Sequence, residues 1–374
     1  MTRSSDLGVR IGTGTPGPID AITDVAGVRV GHTTLIRGDG PLQVGAGPVR
    51  TGVTIVVPCE DVGQRLVFAG CHRLNGNGEL TGLEWVRESG VLTSPIALTN
   101  THSVGVVHDA LIEAQVRVQL AGAVSWSLPV VGETWDGVLN DVNGMHVQPA
   151  HVLAALASAS GGPVAEGNVG GGTGMICHEF KGGIGTASRV ADAAGEHWTV
   201  GVLVQANYGT RARLSVAGVP VGREIDVGEV PAPDGAGSES GHLPGTGSII
   251  AVVATDAPLL PHQCERLAQR AGLGIARMGG VGAHTSGDLF IAFSTANADL
   301  PLASDHDRAA PVTAVRMLPG GAITALFEGV VDATEEAIVN ALVAAQTMTG
   351  RDGITAYALP HDRLESCMAA YGRR

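Results

Sequence analysis

Aromatic residues make up only 3% of this 374-residue chain, and charged residues only 16%. So few rings leave little surface on which single-stranded bases could stack. No block of lysine and arginine is present to displace counterions from a phosphate backbone, and the formal net charge is −13. Nucleic acid is therefore not an expected partner. Low charge does not mean disorder here, because the apolar types reach 44%. No apolar run attains the roughly 18–20 residues that cross a bilayer, so no membrane association is expected. The opening MTRSSDLGVRIGTGTPG lacks the apolar core of a secretory signal, and a cytoplasmic location is the expectation. The five cysteines, Cys59, Cys71, Cys177, Cys264 and Cys367, are odd in number and form no CxxC. They read as buried small hydrophobes in a reducing compartment. Thirteen histidines are dispersed without HExxH, so no metal is expected.

What the chain has in excess is glycine: 55 residues, about twice the usual ~7%. They follow no three-residue period, which excludes collagen, and so serve tight turns and close backbone approaches. The length fits one large or two ordinary domains. Helical spacing marks Leu259–Met278, with Leu260, Cys264, Leu267, Ala271, Ile275 and Met278 on one face. A second helix is expected over Ala333–Thr349, with Asp332 as N-cap, Glu335 as its capping-box partner and Gly350 as C-cap. Val106–Leu120 and Pro149–Ser158 are further candidates. Strands are expected at Gly52–Val57, Val67–Gly70, Ile96–Thr99, Trp198–Gln205, Ile249–Ala254, Leu289–Ser294 and Val312–Met317. The mixture lacks strict alternation, which favours a layered α+β sandwich over a doubly wound sheet.

One junction stands out. Gly228–Thr246 is rich in Pro, Gly, Ser and acidic residues and reads as an exposed loop. Directly after it come Gly247, Ser248 and the wholly apolar IIAVVA, a strand buried on both faces. If the Gly247–Ser248 bond breaks, Ser248 gains an α-amine beside its own hydroxyl. Nucleophile and base then share one residue. Taken alone, Gly-Ser reads rather as a loop residue capping a strand.

The run GTGSIIAVVATDAPLLPHQCERLA resembles the junction of the L-aminopeptidase/D-esterase family, also called the β-peptidyl aminopeptidase family. TPGPIDAITDVAGVRVGHTT, RTGVT, LNGNGELTG, ALTNTHSVG, ETWDGVLNDVNG, PVAEGNVGGGTGMICHEFKGGIGTASR, VGVLVQANYG and SGDLFIAFSTAN resemble it in order, over almost the whole chain. The resemblance implies a single domain, autocleaved into chains 1–247 and 248–374. It implies a four-layer αββα sandwich, like N-terminal nucleophile hydrolases in its layers but different in connectivity. It also implies hydrolysis of N-terminal residues from small peptides, amides or esters with a free amine, no cofactor, and a homotetramer of αβ units.

Residue by residue, Ser248 matches the nucleophile, and Gly247–Ser248 the bond cut. Asn207 matches an oxyanion-hole amide, although by itself it reads as a turn residue closing a strand. Ser286 and Asp288 match a serine and an acid on the strand beside the nucleophile. In a strand, residues two apart share a face, and the acid could hold the hydroxyl or an ammonium. Trp135 stands where the family leads one to expect tyrosine; it either donates its indole N–H or only shapes the pocket. Glu133 and Asp136, around it, are further candidates for meeting an amine. Gly170–Gly174 looks like a phosphate loop but lacks a following Walker lysine, since Lys181 lies too far on. It reads instead as backbone passing the site and offering N–H groups. The alternative activity is acyl transfer of the ornithine acetyltransferase type, whose terminal nucleophile is threonine. A third reading is a non-enzymatic oligomeric binding protein on the same scaffold.

Overall fold

The segment Ile249–Ala254 sends alternate side chains into two different cores. In the computed structural model, which describes residues 2–62, 65–118, 126–233, 247–298, 300–301 and 312–373, Ile249, Ala251 and Val253 join one cluster and Ile250, Val252 and Ala254 another. Period-two geometry makes this the signature of a strand sandwiched on both faces.

Two sheets are stacked. The first has the order β1 (Arg29–Arg37), β2 (Val49–Val57), β4 (Ile96–Asn100), β5 (Val130–Thr134). The second runs from the edge pair Leu300–Pro301 through β3 (Arg65–Arg73), β9 (Leu289–Ser294), β8 (Ser248–Thr255) and β7 (Glu196–Asn207) to β6 (Gly183–Ala193). Ile96, Leu98 and Val130 of the first sheet meet Leu203, Ile250, Ile291 and Phe293 of the second between the layers. Helices α1 (Val104–Val118) and α2 (Pro149–Ala157) cover the outer face of the first sheet, through Val107, Leu111 and Val152. Helices α3 (Pro261–Arg277) and α4 (Thr324–Ala344) cover the second. The result is the expected αββα sandwich.

Both parallel pairings, β4 with β5 and β8 with β9, are joined by a crossover helix, α1 and α3, as parallel strands require. The β8 strand is central, antiparallel to β7 with Asn207 opposite Ser248. It is therefore held on both edges and both faces.

Two of the expected elements are corrected. Val312–Met317 is not a strand but exposed chain without regular structure. The helix expected from Ala333 begins at Thr324 and ends at Ala344, so Asp332 is not an N-cap nor Gly350 a C-cap. The carboxylates that imitate a cap face outward from the helix: Asp332 Oδ1 accepts from Arg277 at 2.6 Å, and Glu335 Oε1 from the Ala217 N–H at 3.0 Å. The strands β1, β5 and β6 escaped the sequence reading. Most of the loop Gly228–Thr246, and the end of Val106–Leu120, lie outside the described residues.

Candidate active site

Ser248 opens β8, and its hydroxyl oxygen accepts the Gly287 N–H at 3.0 Å. The preceding Gly247 has φ +137°, and a Cβ there would lie 2.0 Å from the Asn207 carbonyl oxygen. Only glycine permits that conformation and that approach.

Asn207 ends β7 and is clamped at both ends of its carboxamide. Oδ1 accepts the Ile176 N–H at 2.8 Å, and Nδ2 donates to the Trp135 carbonyl at 3.0 Å. The second Nδ2 proton has no acceptor among the described residues, which leaves a fixed donor one ladder rung from Ser248. The Asn207 side chain thus ties the end of β7 to Ile176 and Trp135.

Ser286 and Asp288 come together, but not on a strand, because β9 starts one residue later at Leu289. Ser286 Oγ donates to Asp288 Oδ1 at 2.6 Å. The same oxygen accepts the Ile249 N–H at 3.2 Å, and Oδ2 accepts Asn75 Nδ2 at 2.9 Å. Burial raises the Asp288 pKa, and the hydrogen bonds from Ser286, Asn75 and Ile249 oppose it. A small cleft bounded by Tyr208, Arg213, Gly280, Ser286 and Asp288 opens beside them.

Glu133, near the end of β5, is buried with Oε1 accepting the Glu79 N–H at 3.0 Å and Oε2 accepting the Thr101 hydroxyl. Burial raises its pKa as well. A Cβ on Gly78 would touch both Gly287 Cα, at 3.0 Å, and Glu133 Oε1, at 3.3 Å. The Glu133 carboxyl is therefore one glycine's width from the backbone that meets Ser248. Asp136 differs: it is sealed in the interior, held by Asn140 Nδ2 at 3.0 Å, and does not join this group. Trp135 is half-buried among Val138, Leu139, Ile176 and Ala356. It contributes its carbonyl to Asn207, and its indole N–H is unengaged among the described residues.

Gly170–Gly174 does not offer a row of free N–H groups. Those of Gly170 and Gly171 go to Thr34 and Thr54 hydroxyls, and those of Gly172 and Thr173 to carbonyls of the same turn. The sequence reading assigned no role to Asn75, Thr101, the Gly287 N–H, Ile176 or Lys181. All lie in or beside motifs that resembled the family, but which atom meets which is not encoded in a one-dimensional pattern. Among the described residues no cluster of His, Cys, Asp and Glu could hold a metal.

The model of Peptidase family S58 matches residues 20–356. Beta-peptidyl aminopeptidase BapA of Sphingosinicella microcystinivorans is 51% identical, over 99% of this chain and 93% of its own. The structure of a Burkholderia sp. beta-aminopeptidase superposes with a TM-score of 0.91 at 54% identity, covering 100% of both chains. The L-aminopeptidase D-Ala-esterase/amidase of Ochrobactrum anthropi, a prototype for the serine aminopeptidases and a new variant among the Ntn hydrolase fold, does so at 0.88 and 44%, covering 100% of this chain and 99% of that one.

Proposed function

The chain belongs to peptidase family S58, and from that premise we propose that Ser248 is its nucleophile, freed by cleavage of the Gly247–Ser248 bond. The protein is a hydrolase, a serine aminopeptidase and esterase acting at the N-terminus of its substrates. Acyl transfer of the ornithine acetyltransferase type is not favoured, since the junction carries serine rather than threonine.

In the first stage Ser248 Oγ attacks the Gly247 carbonyl carbon. The C–N bond breaks, the nitrogen takes up the proton, and the resulting ester is split by water into a Gly247 carboxylate and a free Ser248. In the second stage the α-amine, with an ordinary pKa of about 7.7–8.0, or Ser286, accepts the hydroxyl proton as Oγ attacks the substrate carbonyl. The free Nδ2 proton of Asn207 meets the oxyanion. The Gly287 N–H, 3.0 Å from Oγ, favours the alkoxide. The leaving amine takes the proton, and water releases the acyl group.

Asp288 and Glu133 are the two carboxylates this reading assigns to the substrate ammonium. Asp288 already accepts three hydrogen bonds, which suits it to holding Ser286. Glu133 accepts two, which supports it as the main ammonium contact. Trp135 is assigned to shaping the pocket. The two β-aminopeptidases, at 51% and 54% identity, support short peptides and amides with an N-terminal β-amino acid as substrates. Comparing β-alanyl with L-alanyl anilides tests that preference. A single domain, a homotetramer of αβ units and a cytoplasmic location belong to the same reading.

The observation that carries it is the meeting of Ser248 Oγ with the Gly287 N–H beside Asn207. Intact mass should show chains ending at Gly247 and beginning Ser-Ile-Ile-Ala, and Ser248→Ala should stay in one piece and inactive. A fully active, uncut protein would overturn it.

A further inference from the structure

Lys181 is wholly buried on the short hairpin formed by Ile176–Cys177 and Phe180–Lys181. Its Nζ reaches three backbone carbonyls, of Gly182 at 2.7 Å, Met175 at 2.8 Å and Gly172 at 3.3 Å. Three acceptors call for three N–H bonds, and so for the ammonium form. Burial pushes the lysine pKa down to about 7, opposed by Cys177 and Asp136. Taking an ammonium out of water is costly and is offset only by good partners, so a chain needing only to fill this space would do better with an apolar side chain.

Where the charge points supplies a reason to keep it. The Met175 carbonyl and the Ile176 N–H are the two ends of one peptide group. The carbonyl accepts from Lys181, and the N–H donates to Asn207 Oδ1 at 2.8 Å. A cation on the oxygen withdraws electron density through the peptide and makes its N–H a stronger donor. That N–H does the same to the Asn207 carboxamide, whose remaining Nδ2 proton is free. Hydrogen bonds in such a chain strengthen one another, by roughly 10–30% each.

We propose that Lys181 is a positioning residue, fixing and polarising the Met175–Ile176 peptide so that Asn207 presents a stronger donor to the oxyanion. This rests on the oxyanion role of Asn207 argued above. Nothing of Lys181 touches the substrate; it acts only through Asn207.

The test is a double-mutant cycle on self-cleaved enzyme, read as kcat and KM separately. K181Q keeps hydrogen-bond donors but removes the charge, and K181R keeps the charge. K181Q should lower kcat on the order of 10-fold with KM changed less than about twofold, whereas K181R should stay within about threefold of wild type. Asn207→Ala should lower kcat by about 10²–10³, and adding K181Q to it should bring no further loss. Equal losses in K181Q and K181R, failure of both to fold, or the same ~10-fold loss in the Asn207→Ala background would overturn the relay. Unchanged kcat in Asn207→Ala alone would instead sink the oxyanion reading, and the relay with it.

Discussion

Asp136 sits wholly inside the protein, with Oδ1 held by Asn140. Burial raises its pKa from the ordinary 3.8 to about 7. The folded state therefore binds more protons than the unfolded one between those limits. The stability Asp136 contributes is fully present below the unfolded value and is lost as pH rises through the folded one. Asp136→Asn abolishes the titration. Its stability relative to wild type should rise between about pH 4 and pH 8, by up to roughly 2–4 kcal/mol, in denaturant titrations. A pH-independent difference would mean that Asp136 is ionised in the fold. The sequence pointed to this residue for another purpose: it lies beside Trp135 in the chain, but its side chain is sealed in the interior. Ser248, Asn207, Ser286 and Asp288 were all legible through the motifs they occupy. Their partners Asn75 and Ile176 were not, because each hydrogen bond joins segments tens of residues apart.

At the scale of elements, periodicity was reliable where an element has one buried face, as in α3, or two, as in β8. It failed for α4, buried along most of its length, where no polar stripe marks a beginning and two internal carboxylates imitate a cap. Glycine content at this scale sorts into two kinds. In β6, a Cβ on Gly185 would lie 1.9 Å from the Ala337 carbonyl and 2.6 Å from the Ala341 nitrogen, both backbone atoms of α4. Gly185→Ala must push helix from sheet and should cost about 1–3 kcal/mol. Gly105, in the first turn of α1, has nothing within 4 Å of such a Cβ, and Gly105→Ala should add about 0.5–1 kcal/mol. Thermal midpoints moving in opposite directions would confirm the distinction; a stable Gly185→Ala variant would refute the close approach.

At the scale of the molecule, the proposed cut falls between neighbours that share a sheet. Strand β8 pairs with β7 over eight rungs, from Asn207–Ser248 to Val200–Thr255, and α4 packs Val330, Ala333, Ala337 and Ile338 into the core that β6 and β7 face. Cleavage removes one covalent bond and none of this burial. The two chains should co-elute under native conditions and separate only in denaturant, as size exclusion with and without guanidinium will show. Dissociation in native buffer would contradict the shared core.

Composition argued against nucleic-acid binding, a disordered chain and membrane-spanning helices, because those depend on total charge and on apolar run length. Local pattern determined helix α3, the doubly buried strand and the Gly247–Ser248 junction, because helix period, strand period and turn chemistry are short-range. The tertiary structure alone decided that Asp288 is held by Asn75, that Glu133 lies beside Gly78 and Gly287, and that Lys181 supports the peptide which holds Asn207. Those contacts depend on sheet register and on the stacking of two sheets. Such long-range geometry is set by the packing of the whole chain, and no window of the sequence contains it.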